Sequence, residues 1–236
     1  MAGEAKLTVY SGLKGWYRAD TYKGIVSSGS AIPSAQFWKP TSGYGTALGV
    51  YGQPTYYPPM VTIYPSGYFM NTASPATGLP TTSTELSIFA YFGVSSATGS
   101  ILLLGNASAP GSNCSGGGVD FLRFAASGST FLADACFNGL PQSPPVIVSG
   151  TNNTGEHIHQ IRWSGTGQLE YRVENVGTTS QTSYGTQLQV SALLAVGDNI
   201  ASANAYVGEF LIYDRRVTDS EAESIRSYLA NRFYRK

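Results

Sequence analysis

Apolar and polar positions alternate in short runs along this chain, and the period changes only near its C-terminus. From residue 85 the runs recur regularly, at Leu86–Val94, Ile101–Leu104, Val119–Ala125, Thr130–Phe137 and Val146–Val148. They are rich in β-branched and aromatic residues and are separated by Gly, Ser, Asn and Pro clusters, the pattern of a sandwich or barrel. Two hairpins are predicted. Asp120–Phe124 and Phe131–Asp134 are joined through Ala126-Ser127-Gly128-Ser129, and His157–Trp163 and Leu169–Val173 through Ser164-Gly165-Thr166-Gly167. In the second hairpin His157, His159, Ile161 and Trp163 share one face, and Ile158, Gln160 and Arg162 the other. Residues 7–80 read as irregular. Prolines at 33, 40, 54, 58, 59 and 65 interrupt them, and strand-like pieces stand out only at Leu13–Tyr17 and Val61–Tyr64.

The last strand runs from Tyr206 to Tyr213. Val207, Phe210 and Ile212 are apolar, and Leu211 breaks the alternation, which predicts a strand covered on both faces. Asp214, Arg215 and Arg216 end it. Thr218 followed three residues on by Glu221 is a capping-box pattern. Ala222, Ile225, Leu229 and Phe233 then recur at spacings of three and four, one apolar stripe of a helix over 219–233. Arg226, Arg232, Arg235 and Lys236 lie toward its C-terminal end, where the helix dipole favours cations.

This order of closing strand, basic turn and capped helix resembles the C-terminal signature of concanavalin A-like, laminin-G-like jelly-roll domains. The N-terminal half carries the same resemblance. Leu13-Lys14-Gly15-Trp16-Tyr17-Arg18-Ala19-Asp20 is similar to the opening strand of laminin-G-like domains of bacterial surface proteins and bacteriophage virion proteins. Trp38-Lys39-Pro40-Thr41-Ser42-Gly43-Tyr44-Gly45 resembles the W-x-D-x-S-G-x-G loop that follows, with Pro40 in place of the acidic residue, which weakens a metal-binding reading of that loop. Pro54-Thr55-Tyr56, Gly67-Tyr68-Phe69 and Leu86-Ser87-Ile88-Phe89-Ala90 continue the match in order. The resemblance implies one all-β domain over residues 1–236, a two-sheet antiparallel β-sandwich with the C-terminal α-helix packed outside the sheets.

Composition narrows the partners. Positive and negative residues balance to a formal net charge of zero, and charged residues are only 12% of the chain. No basic stripe is visible, so no nucleic-acid partner is expected. No apolar run approaches the roughly 18–20 residues of a membrane span, so no membrane partner is expected. Met1 to Lys6 lead into no apolar h-region, and synthesis in a host cytoplasm without a signal peptide is the expectation. Cys114 and Cys136, the two cysteines, flank a predicted hairpin that would allow a disulfide. Cytoplasmic synthesis favours two reduced thiols instead.

Candidate chemistry is sparse. The glucanase branch of the resembled fold carries E-x-D-x-x-E, two carboxylates on one strand face. This chain has no such pattern, and Glu170 and Glu174 read as a solvated edge. His157 and His159 would place both imidazoles on one face, yet no third metal ligand stands near. No G-x-S-x-G elbow occurs, and Ser115-Gly116-Gly117-Gly118 lacks the Lys-Ser/Thr of a phosphate cradle. The sequence therefore predicts no catalytic residue, no metal and no cofactor. The remaining candidates are loop aromatics that can stack on sugars or anchor an interface, namely Trp38, Tyr44, Tyr51, Tyr56 and Tyr57, with core packing as the competing role.

The expectation is a non-enzymatic structural protein on the surface of a bacteriophage virion, decorating a capsid or tail appendage. Its partners would be other virion proteins, copies of itself or a host surface glycan. The alternative is a lectin-like carbohydrate-binding adhesin module.

Overall fold

Period-two alternation builds two antiparallel sheets packed face to face, an all-β sandwich with a C-terminal helix on one outer face. The computed structural model describes residues 6–41, 43–63, 67–71, 78–79, 85–96, 99–105, 121–127, 130–137, 140–141, 146–148, 155–164, 167–181, 193–197 and 204–234. Tyr64, Cys114, the Ser115–Gly118 loop, Val119, Asp120, Arg235 and Lys236 lie outside the described residues.

In chain order the strands are β1 (Leu13–Arg18), β2 (Ser30–Ala31), β3 (Phe37–Trp38), β4 (Leu48–Tyr51), β5 (Thr55–Tyr57), β6 (Met60–Thr62), β7 (Tyr68–Asn71), β8 (Leu86–Ser96) and β9 (Gly99–Gly105). They continue with β10 (Phe121–Ser127), β11 (Thr130–Phe137), β12 (Leu140–Pro141), β13 (Val146–Val148), β14 (Gly155–Ser164), β15 (Gln168–Val173), β16 (Gly177–Gln181), β17 (Leu193–Val196) and β18 (Asn204–Tyr213), and α1 (Asp219–Phe233) follows. Sheet 1 runs β16-β15-β14-β8-β18-β6-β5-β2, with β1 also paired to β18. Sheet 2 runs β12-β11-β10-β9-β17-β7-β4-β3, with β13 paired to β11.

The sequence patterns explain the layers. Ile161 and Trp163 of β14 and Leu169, Tyr171 and Val173 of β15 point between the sheets and join the main core. Gln160 and Arg162 point the other way, and the Arg162 guanidinium forks onto the Glu170 carboxylate at 2.9 and 2.8 Å while donating to the Val217 carbonyl just before α1. β18 is covered on both faces, as its sequence predicts: Val207, Phe210 and Ile212 enter the main core, whereas Leu211 and Tyr213 join Trp16, Phe89 and Ile158 beneath Ala222, Ile225, Leu229 and Phe233 of α1. A bulge at Gly208 switches the parity, since Val207 pairs with Phe92 and Glu209 with Tyr91. A Cβ at Gly208 would stand 2.7 Å from the Phe233 ring, so the bare backbone is what seats the end of the helix. The predicted capping box is present in full, with Thr218 Oγ1 accepting from the Glu221 amide and Glu221 accepting from the Thr218 amide.

Two expectations are corrected. The N-terminal part is not simply irregular, because β1 to β7 occupy residues 13–71 and supply strands to both sheets. The strands are two to six residues long, too short for their alternation to register between the prolines. Cys136 is not a reduced thiol. It is fully buried and disulfide-bonded. Among the described residues no helix is long and apolar enough to cross a membrane.

Candidate functional site

Alternation decides which of the predicted aromatics reach the surface. Trp38 of β3 and Tyr56 of β5 occupy inward positions and are 0% and 1% exposed. Trp38 packs edge-on against Phe69 and Phe210 at 4.8 and 5.4 Å, and its indole Nε1 donates to the Arg18 carbonyl at 3.0 Å. The Tyr56 ring lies 6.0 Å from Tyr22, and burial raises the pKa of its hydroxyl. Both residues are core, and neither has a face to offer a ligand.

Tyr51, Tyr44 and Tyr57 lie outside the main core, Tyr51 on the outer face of sheet 2 and Tyr44 and Tyr57 on the side of sheet 1 that carries α1. Tyr51 closes β4 directly opposite Tyr68, which opens β7. Their rings lie parallel within 5°, with centroids 4.9 Å apart, and both are half-buried. Burial first, and the Tyr51 hydroxyl second, raise the pKa of Tyr68. A Cβ at Gly67 would stand 2.2 Å from Pro54 N, so only glycine lets the chain entering β7 pass the chain leaving β4. The next outward row of sheet 2 runs Phe37, Gly49, Met70, with Phe37 at the sheet edge 40% exposed. Tyr51, Tyr68, Phe37, Gly49 and Met70 carry no charge, and the second row reaches Arg123 only after Ala195 and Leu103.

Tyr44 stacks loosely on the exposed Tyr10 at 6.4 Å, and Tyr10 lies 6.2 Å from Trp16 beside α1. Tyr57 lies on the outer face of sheet 1 and is 48% exposed. Strand register brings Tyr68 to Tyr51, and the packing of two non-strand segments brings Tyr10 to Tyr44. Sequence reasoning missed both partners, although Gly67-Tyr68-Phe69 was one of its motifs.

The titratable groups form structural networks. Glu209 is fully buried beneath α1, where its Oε1 accepts from Trp16 Nε1 at 2.6 Å and from the Tyr228 hydroxyl at 2.7 Å. Arg232 Nε stands 2.7 Å from its Oε2. Burial raises the carboxyl pKa, and the Arg232 charge and the two donors oppose that rise. Arg232 and Arg18 also share Asp20, so the network ties α1, β18 and the turn after β1 together. Glu170 pairs with Arg162 and Arg216, and Glu174 with Arg172 and Arg226, so the expected solvated edge is a charge-paired one.

His159 lies in the core, stacked on Phe92 at 3.5 Å with Nδ1 2.9 Å from the Tyr171 hydroxyl. His157 is half-buried at a ring distance of 6.2 Å. Among the described residues no three His, Cys, Asp or Glu side chains converge as metal ligands.

The sequence matches no protein-family model and no curated protein. The fold is similar to that of solved structures. The botulinum neurotoxin serotype D binding domain aligns with a TM-score of 0.62 at 10% identity over 92% of this chain and 51% of that one. The binding domain of botulinum neurotoxin DC, in complex with SialylT, aligns at 0.61 and 11% identity over 85% and 50%. Trypanosoma rangeli sialidase, in complex with the inhibitor DANA, aligns at 0.59 and 12% identity over 92% of this chain and 33% of the sialidase chain. This chain therefore spans about half the length of the toxin binding domains and a third of the sialidase. At such identities the likeness is one of fold, and it gives no support to a bacteriophage origin.

Proposed function

We propose that this chain is a non-enzymatic, lectin-like carbohydrate-binding module that takes a neutral sugar against the Tyr51–Tyr68 stack. The observation that carries this reading is the pair itself, two parallel, half-exposed rings 4.9 Å apart on adjacent strands. A pyranose presents an apolar C–H face that packs on an aromatic ring, and its hydroxyls meet the phenol oxygens. Tyrosines held on paired strands lose little freedom when a ligand arrives. The uncharged residues beside them, Phe37, Gly49 and Met70, favour a neutral ligand over an acidic one.

Two further points support binding over catalysis. The described carboxylates at Glu209, Glu170, Glu174, Glu221 and Asp20 all face arginines at close range, so none of them stands unpaired as a general acid would. The similar solved folds include botulinum neurotoxin binding domains. Display on a virion, expected from the sequence, has no such support and is not needed for this reading.

Affinity electrophoresis tests the proposal. In gels containing neutral galactose- or glucose-based polysaccharides, the wild-type chain is expected to run slower than in plain gels. The Tyr51→Ala/Tyr68→Ala variant, which alters surface rings and leaves the core intact, is expected to run freely. Equal retardation of both proteins would remove the stack as the site.

A further inference from the structure

Most described sheet edges are short or guarded. In sheet 2, β3 and β12 are two residues long, with Pro40 two positions beyond β3 and Pro141 closing β12, and β13 is three residues long behind Pro144-Pro145. In sheet 1, β2 is two residues long, with Pro33 two positions beyond it. The free edge of β1 is taken by the segment after β3, where Pro40 bridges Tyr17 and the Thr41 amide donates to the Trp16 carbonyl at 2.7 Å. Short strands and prolines keep exposed edges from pairing with other chains.

β16 is the exception. It runs Gly177-Thr178-Thr179-Ser180-Gln181, five residues without a proline, a charge or a bulge, in unbroken register with Val173 to Leu169 of β15. Among the described residues nothing pairs with its other edge. Gly177, Thr178, Thr179 and Ser180 are all exposed. β13 of sheet 2 has Cα atoms within 8 Å of β15 and of β16 alike. A strand lying beside β16 in its own sheet would stand roughly 9.6 Å from β15, so β13 faces the pair from across the sandwich and leaves the edge of β16 open.

We infer that this edge is the seam of a homodimer, in which β16 pairs antiparallel with β16 of a second copy about a two-fold axis at Thr179. The strand is complementary to itself. In this register Thr179 meets its own counterpart, Thr178 meets Ser180 of the other copy, and Gly177 meets Gln181. Threonine and serine set opposite each other across paired strands hydrogen-bond and stabilise the pairing. The outer face adds charge complementarity, because Arg172 stands beside Thr178 and Glu170 beside Ser180. Each outer row that crosses the seam therefore carries an arginine on one copy and a glutamate on the other. A formal net charge of zero sets no repulsion between copies. Pairing about a two-fold axis uses the edge once per copy, so assembly closes at two. The dimer does not rest on the carbohydrate reading. It would carry two Tyr51–Tyr68 stacks, and bivalency raises the avidity of weak single sites.

Sedimentation equilibrium of the full chain over a concentration series tests the seam. A monomer–dimer equilibrium is expected, the dimer having twice the 25.0 kDa mass of the chain. Thr178→Lys/Ser180→Lys sets like charges opposite each other twice and should weaken the dimer at least about tenfold. Thr178→Glu/Ser180→Lys alters the same exposed positions with opposite signs facing, and should keep it. Matching circular dichroism spectra would show that both variants fold. Thr179→Cys should form an intermolecular disulfide on oxidation, because the two new thiols face each other across the axis, whereas Thr178→Cys should not.

A monomer at every concentration would overturn the seam. A dimer that survives the paired lysines, or that Thr179→Cys fails to crosslink, would overturn it as well. None of these results bears on the Tyr51–Tyr68 site, which the affinity gels read separately.

Discussion

His159 is the residue whose chemistry should be felt most plainly in solution. Burial among Phe92, Phe131 and Tyr171, with His157 close by, holds its pKa well below the ordinary imidazole value. The unfolded chain takes up a proton as pH falls through about 6.5, whereas the folded chain does not. Stability is therefore complete above that pH and declines below it. The urea midpoint at pH 5 is expected to fall below that at pH 7, and the gap should narrow in His159→Phe. An unchanged gap in that variant would assign the acid sensitivity elsewhere. Burial of His159 was only half legible beforehand, since the alternation of His157, His159, Ile161 and Trp163 gave a shared face but not which face. Trp38, Tyr51, Tyr56 and Tyr57 pose the same problem more sharply. A shift of one position separates core from surface, and strands of two to four residues between glycines and prolines carry too little pattern to fix it.

At the scale of elements, the junction between β18 and α1 holds the most concentrated chemistry. Gly208 is the point of closest approach, with Phe233 and Tyr91 atoms 2.7 to 2.9 Å from a would-be Cβ. Gly208→Val should cost about 1–3 kcal/mol by overpacking, read as a lowered thermal midpoint with loss of helix signal first. Glu209→Ala should cost about 3–5 kcal/mol, because it removes a buried carboxylate partner of Arg232 and the shared acceptor of Trp16 Nε1 and the Tyr228 hydroxyl. Glu209→Ala/Arg232→Ala should cost less than the sum of the two single changes, and strict additivity in that double-mutant cycle would show that the pair is not coupled. Much of this junction was visible in the sequence. The capping box and the stripe of Ala222, Ile225, Leu229 and Phe233 are local patterns, and local patterns survive without tertiary knowledge. The bulge and the buried Glu209 were not visible. Gly-Glu inside a strand reads as a polar interruption until the helix is seen to fold back over it.

For the whole molecule, the fold class was legible because regular strands from residue 85 onward dominate the chain, and the sandwich follows from their number and alternation. The disulfide at Cys136 was misjudged because the reasoning ran from the place of synthesis and not from geometry. Cys136 faces outward from sheet 2 in a buried apolar patch with Leu103, Phe121 and Leu193. Thiol labelling of the folded, non-reduced chain should therefore find no free Cys136, and reduction should destabilise the fold by about 2–4 kcal/mol. Labelling at full stoichiometry without reductant would contradict the crosslink.

Function emerges only at this largest scale, because the rings that form the proposed site come from strands separated in sequence. The most direct measurement is a glycan array probed with the chain displayed as an oligomer, since single weak sites are detected through multivalency. Selective signal on a set of neutral glycans, lost in Tyr51→Ala/Tyr68→Ala, is the predicted result. A blank array, or signal that the variant retains in full, would contradict the account.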